Sequence, residues 1–383
     1  MPSSVRFRAD RLEFRPHNLL DRAITERGIL PPSWCVILRQ MIELGLDTFG
    51  DVTFDKEGRP VSQAQALRNV VAEGALADQL GVDAFGVGEH HRPDFAVSAP
   101  EVVLAAIAGK TERIRLGSAV TVLSTDDPIR VFQRFSTLNA ISNGRAEVIL
   151  GRGSFTESYP LFGYDLSKYN ELFEEKLATF VKLLDQQPIV YPPIETGRLN
   201  TWVGVGGSPE SVVRAARYGL PLTLAIIGGS ARRFLPYVDL YKRALKEFGK
   251  EPQPIGVHSP GHLAATDEEA KEQVWPHYLA MMNRIGRERG WPPRGRDDFE
   301  REAGPDGALY VGSPETVAAK ILRTVKDLGL ARFDLKYSSG TLPHELAMNS
   351  IELYATKVAP IVRNSLGDSQ EPVTPLGRSD ATV

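Results

Sequence analysis

Apolar and polar positions change rhythm repeatedly along this chain. From residue 41 the run Met41-Ile42-Glu43-Leu44-Gly45-Leu46-Asp47-Thr48-Phe49 alternates with the period of two that suits a strand. Comparable strand-length stretches recur at 83–89, 115–122, 146–150, 201–205, 221–226, 254–265 and 332–337. Between them the period lengthens to that of amphipathic helices. Residues 62–80 bring Leu67, Val70, Val71, Leu76 and Leu80 to one side. Phe173, Leu177, Phe180, Val181 and Leu184 form the clearest stripe, and Ile351, Tyr354, Ala355, Val358 and Ile361 repeat it near the C-terminus. Eight strands, each followed by a helix, predict an α/β fold of the (β/α)8 TIM-barrel type, with an open doubly wound sheet as the alternative.

Two connections exceed what a minimal barrel needs, 151–166 after strand four and 266–310 after strand seven. They predict insertions at those points, and long loops of this kind often cover or line a site. Residues 1–40 follow a different rhythm. They are arginine-rich and interrupted by Pro31-Pro32, which predicts a flexible extension, or else a helix from Asn18 to Gly28 packed on the surface. The barrel is then expected over 41–363, and the polar stretch 364–383 reads as a disordered tail.

Composition narrows the function. The 383 residues are 42% hydrophobic, enough for a large core, and 45 Lys plus Arg against 48 Asp plus Glu leave a formal charge of −3. That balance argues against an obligate nucleic-acid binder. Cys35 is the only cysteine, so neither an intramolecular disulfide nor a cysteine zinc cluster can form. No run approaches the roughly 18 apolar residues of a membrane span, and the N-terminal stretch lacks a signal-peptide core. A cytoplasmic protein without a membrane partner is the expectation.

Candidate chemistry collects at predicted strand ends, where a barrel builds its active site. Gly86-Val87-Gly88-Glu89-His90-His91-Arg92 closes strand two. Continued alternation sends Glu89 and His91 to one face and His90 to the other, and a histidine there can exchange a proton near neutral pH. It can equally fix loop geometry. No helical histidine pair supports a metal, and none is expected. Small residues Ser118 and Ala119 end strand three, and Asp127-Pro128 has the form of a helix start. After strand four, Gly151-Arg152-Gly153 sets a guanidinium beside open backbone amides, which suits a phosphate as well as a surface ion pair. After strand five, Gly206-Gly207-Ser208-Pro209-Glu210-Ser211 leads into a helix with Ser208 as cap, another phosphate candidate. A second copy, Gly312-Ser313-Pro314-Glu315-Thr316, lacks the glycine run and reads as a plain cap.

Taken in order, these motifs resemble the bacterial luciferase-like family of flavin-dependent monooxygenases. The resemblance runs from about residue 41 to 363 and rests on GVGEHH at 86–91, RIRLGSAVTVLSTDDPIRVFQ at 113–133 and ISNGRAEVILGRGS at 141–154. LFGYDL at 161–166 and VGVGGSPESVVRAARYGLPL at 203–222 continue it. It implies a barrel, and His90 as the active-site histidine beside the flavin with Glu89 as its neighbour. It implies a non-prolyl cis peptide at Ala119-Val120 against the ring. It puts Arg152, Ser208 and Ser211 on the FMN phosphate, with Gly207 where luciferase carries a glutamate. Gly151 stands where the family has a cysteine, so light emission is not implied. The implied reaction is oxygenation of a small organic substrate by dioxygen and reduced FMN from a separate flavin reductase, in a homodimer. A deazaflavin-dependent hydride-transfer oxidoreductase and a flavin-binding protein without turnover are the alternatives.

Overall fold

The computed structural model describes residues 42–367, apart from 186, 187 and 196. The expected extension at 1–40 and nearly all of the expected tail therefore lie outside the described residues. The last helix runs to Ser365, just inside the stretch read as tail.

Eight parallel strands close on themselves. They are β1 (Glu43–Thr48), β2 (Ala84–Val87), β3 (Arg115–Ser118), β5 (Ala146–Gly151), β6 (Asn200–Val205), β7 (Leu222–Ala225), β8 (Ile255–Leu263) and β10 (Arg332–Lys336). Each pairs with the next, and β10 pairs with both β8 and β1, so no edge is left open. The fold is a (β/α)8 barrel. The strand predicted over 115–122 is broken in two. Its last residues form the short β4 (Thr121–Val122), which pairs with β5 beyond a cis peptide at Ala119-Val120.

Local chemistry starts the helices where the sequence places them. Helix α1 (Gln63–Gln79) begins where Ser62 accepts a hydrogen bond from the Gln65 amide. Next come α2 (Pro100–Ala108) and α3 (Pro128–Ile141), the latter opened by Asp127, which accepts from the amides of Ile129 and Arg130. After a single turn, α4 (Ser158–Leu161), come α5 (Tyr169–Leu184), α6 (Pro209–Tyr218) and α7 (Leu235–Glu247). Ser208 caps α6 and Gly219 ends it at φ 62°, a left-handed position that favours glycine. Phe173, Leu177, Phe180 and Leu184 of α5 are buried between helix and sheet, and Phe180 meets Phe132 of α3 at 5.8 Å between ring centroids.

The first insertion, after the fourth barrel strand, holds α4. The second, after the seventh, is mostly helical: α8 (Asp267–Arg289), α9 (Arg296–Ala303) and β9 (Tyr310–Gly312), which extends along the end of β8. A small core of its own, with Val274, Tyr278, Phe299 and Leu309, stabilises it. Helix α10 (Pro314–Leu328) follows, capped by Ser313, and the chain ends in α11 (His344–Leu353), a π-turn and α12 (Ala359–Ser365). No helix among the described residues is long and apolar enough to cross a membrane.

The interior of the barrel is charged. Arg332 on β10 bonds Glu147 on β5 and Asp334 on its own strand, and all three are buried. Strands β5 and β10 are not neighbours in the sheet, so the Arg332–Glu147 contact crosses the barrel's inside. Nearer the C-terminal mouth, Lys336 reaches Asp51 at 3.1 Å, and His258 meets Asp47 at 2.6 Å. Every charge in this layer has an opposite partner, as buried charges require.

Candidate active site at the C-terminal mouth of the barrel

The turn after β2 sends Glu89 and His91 to one side and His90 to the other, as the alternation predicts. Glu89 turns inward and is buried. One carboxylate oxygen accepts the Val122 amide at 2.7 Å, and the other meets His91 Nε2 at 2.9 Å. Glu89 thus pins the end of β4 to the end of β2, and its backbone amide donates to Val120 O at 3.1 Å. His90 points the other way, among Phe49, Phe95 and Phe155, with centroid distances of 4.5, 4.6 and 5.1 Å. Its ring nitrogens have no hydrogen-bond partner among the described residues. Burial in this aromatic surround pushes its pKa down to about 3, against the pull of Asp51, so the imidazole is neutral at physiological pH.

The Ala119-Val120 cis peptide lies beside this turn, and glycines give it room. A Cβ on Gly88 would sit 2.7 Å from Ala119 O and 2.5 Å from Phe49. A Cβ on Gly151 would sit 2.4 Å from Val120 Cγ2. Glycine at 151, in place of the resembled family's cysteine, is thus a packing requirement here. Ser118 is fully buried, and its hydroxyl is used by Thr121 and the Ile149 amide.

A second cluster is positioned by β5, β6 and the N-terminus of α6. Arg152 leaves β5 half-buried, donates to Asn170 Oδ1 at 2.6 Å and lies 4.9 Å from the centre of the Tyr169 ring. Tyr159 and Tyr169 stack, and their hydroxyls donate to Arg152 O and Gly153 O, which fixes the turn. Gly207 takes a φ of 118° with nothing nearer to its missing side chain than the Tyr237 hydroxyl at 4.0 Å. Ser208 donates to Glu210 Oε2 at 2.6 Å, and Ser211 is buried behind it. This Ser208 hydrogen bond is the main force lowering the Glu210 pKa, with Arg152 adding to it. These donors have therefore already attracted a carboxylate. A phosphate needs the same set: a guanidinium, a hydroxyl and first-turn amides aligned with a helix dipole.

Sequence reading missed several supports. Tyr169 and Asn170 orient Arg152 but belong to a helix start with no motif. Arg214, buried under Ser211, donates to its hydroxyl at 3.3 Å and pairs with Glu174 on α5. Its place one turn after Ser211 was a usable signal. Arg92 ties the two insertions to this turn through Asp94, Glu157 and Glu288. Asp47, Phe49 and His258 come together only through barrel closure, and no local motif marks them.

A closed parallel barrel with polar groups gathered at its C-terminal mouth is the arrangement on which TIM-barrel enzymes build their active sites. The model of the luciferase-like monooxygenase family matches residues 48–332, and the chain belongs to that family. It is 24% identical over 341 residues to the Sinorhizobium fredii protein y4vJ, covering 82% of this chain and 97% of that one. It is 25% identical over 243 residues to the alkanal monooxygenase alpha chain of Photorhabdus luminescens, covering 58% of this chain and 65% of that one. Among solved structures, the oxygenating constituent of 3,6-diketocamphane monooxygenase from Pseudomonas putida, in complex with FMN, superposes with a TM-score of 0.67. It is 19% identical, covering 84% of this chain and 98% of that one. An F420-dependent secondary alcohol dehydrogenase has the same fold at a TM-score of 0.63 and 16% identity, covering 84% of this chain and 99% of that one.

Proposed function

We propose that this protein is a monooxygenase that uses reduced FMN and dioxygen to oxygenate a small organic substrate. One observation carries the reading. An aromatic wall of Phe49, Phe95 and Phe155 around His90, beside Ala119-Val120, shares the barrel mouth with a phosphate-type donor set at Arg152, Gly207, Ser208 and Ser211. A flat ring joined to a phosphate by a short chain is the ligand that needs both. Bound FMN, once reduced, supplies the electrons with which dioxygen is activated.

The chain's own residues then have separate tasks. Arg152, Ser208 and the first-turn amides of α6 hold the phosphate, once Glu210 releases the Ser208 hydroxyl. Glu89 fixes the backbone against which the ring rests. Phe49, Phe95 and Phe155 keep water from the reacting face. His90 works as a neutral imidazole, which can donate one hydrogen bond and accept another without bringing charge to the apolar wall. The reading carries with it a separate flavin reductase, a homodimer and a cytoplasmic setting.

A second reading is supported by the F420-dependent enzyme with the same fold. Deazaflavin would use the same ring and phosphate seats for hydride transfer without dioxygen. Titration of the protein with FMN and with F420 separates the two.

A further inference from the structure

Behind the phosphate-type donor set stands a buried guanidinium that has no task in the reading above. Arg214 lies one turn into α6, with 9% of its side chain accessible. Its Nη1 donates to Ser211 Oγ at 3.3 Å, Ser211 Oγ donates to Ser208 Oγ at 3.5 Å, and Ser208 Oγ donates to Glu210 Oε2 at 2.6 Å. The direction of this chain follows from its first member. A guanidinium has no acceptor, so the Ser211 oxygen receives and its own proton is turned onward. Ser208 Oγ also accepts the Ser211 amide, at 3.4 Å, as the cap of α6. Its proton is therefore left to point out of the helix. The chain starts at a buried cation and ends on an exposed carboxylate. Glu174 on α5 pairs with Arg214 and also with Arg217, so two guanidiniums share one carboxylate. Positive charge is left over under the first turn of α6, where the helix dipole adds to it.

We infer that Arg214 is a positioning residue for the cofactor's phosphate: acting through Ser211 and Ser208, it fixes the outer hydroxyl as a donor and makes the seat selective for a phosphate monoester over a neutral hydroxyl end. The inference rests on the proposed reading of this seat as a flavin-phosphate site. Glu210 marks the place, since its carboxylate takes the proton that a phosphate oxygen would take. A phosphate monoester carries about −1.5 to −2 charges at pH 7 and presents three strong acceptor oxygens, which completes a chain that only donates. A hydroxyl end brings no charge and has a proton of its own to place. Hydrogen bonds in such a chain polarise one another, so an anion at the outer end draws on the cation at the inner one.

Fluorescence titrations of the full chain with FMN and with riboflavin test this. Arg214→Gln should weaken FMN by about tenfold, the scale of one charge-assisted hydrogen bond, and leave riboflavin within about twofold. Arg214→Lys keeps the charge and should recover part of the loss. Ser211→Ala cuts the chain without touching the buried ion pair, and should reproduce the selective loss. Combined with Arg214→Gln it should add little, because both changes remove one chain. In phosphorus NMR of bound FMN, the phosphate should titrate at higher pH in Arg214→Gln than in the unaltered protein, a readout that a loosened fold alone does not move. Parallel weakening of FMN and riboflavin, or FMN affinity unchanged in Ser211→Ala, overturns the inference. Inorganic phosphate, followed by phosphorus NMR on flavin-free protein, keeps it apart from the flavin reading. Phosphate binding that Arg214→Gln weakens, in a protein that takes up neither flavin, would sink the flavin reading alone.

Discussion

Burial decides the charge of His90. A free imidazole titrates near 6.5, and from sequence it can act as acid or base at neutral pH. Set among three phenyl rings, it is pushed to about 3 and stays neutral. Between those two values the unfolded chain takes up a proton that the folded chain refuses. This group's contribution to stability is therefore lost as pH falls from about 6.5 toward 3. Urea denaturation of His90→Gln should show a shallower loss of stability over that window than the unaltered protein; an identical slope would mean that His90 is solvated. Catalysis gives the second test. His90→Ala should keep FMN binding while oxygenation falls by about a hundredfold or more, the usual scale for a proton-handling group. Normal turnover in a flavin-bound variant would remove His90 from the chemistry. Motif and alternation foretold its opposition to Glu89. Its neutrality was not legible, because Phe49 and Phe155 lie far from it in the chain.

At the scale of elements, strand ends and helix starts carry the site. The caps at Asp127, Ser208 and Ser313 were readable because capping is local: a side-chain oxygen reaches an amide two or three residues on. The break between β3 and β4 was not readable from alternation, which continues through it, and came only from family resemblance. The helical content of the second insertion was also missed, since α8 contains Pro276 and its buried Ala270, Val274 and Tyr278 make only a narrow stripe in a largely polar helix. Gly151 shows how tightly the strand ends are fitted. Gly151→Ala introduces a Cβ 2.4 Å from Val120 Cγ2, so one of the two strand ends must move. We expect about 1–3 kcal/mol of destabilisation in thermal unfolding, together with weaker FMN binding. A variant with unchanged Tm and affinity would show that this end has slack.

The whole barrel turns a familiar pattern inside out. In β1 the alternation Glu43, Gly45, Asp47 against Leu44, Leu46 resembles a strand with one wet face. Closure leaves no wet face. The apolar set packs on the helices, and the polar set lines the interior beside Arg332, Asp334 and Lys336 from β10. Strand count and order were thus legible, while the charged interior was not, because it exists only once β10 meets β1. Within it, Arg332 neutralises two carboxylates; burial raises the Asp334 pKa to about 6, against the stabilising pull of Arg332. Arg332→Leu should strand Asp334, leave Glu147 with Arg115 and Asn200 alone, and lower unfolding stability by about 3–5 kcal/mol. Chemical denaturation with no such loss would mean that the interior is hydrated and its charges are screened.

The central claim is that one mouth of this barrel seats a flavin by its ring and its phosphate. Equilibrium titration of the full chain with FMN, followed by flavin fluorescence, tests it directly. Binding should be saturable and one-to-one, and Arg152→Ala should weaken it by about tenfold or more, since each charge-assisted hydrogen bond contributes about 1.5–3 kcal/mol. F420 should bind more weakly. No saturable FMN binding, or binding that Arg152→Ala leaves unchanged, would contradict it.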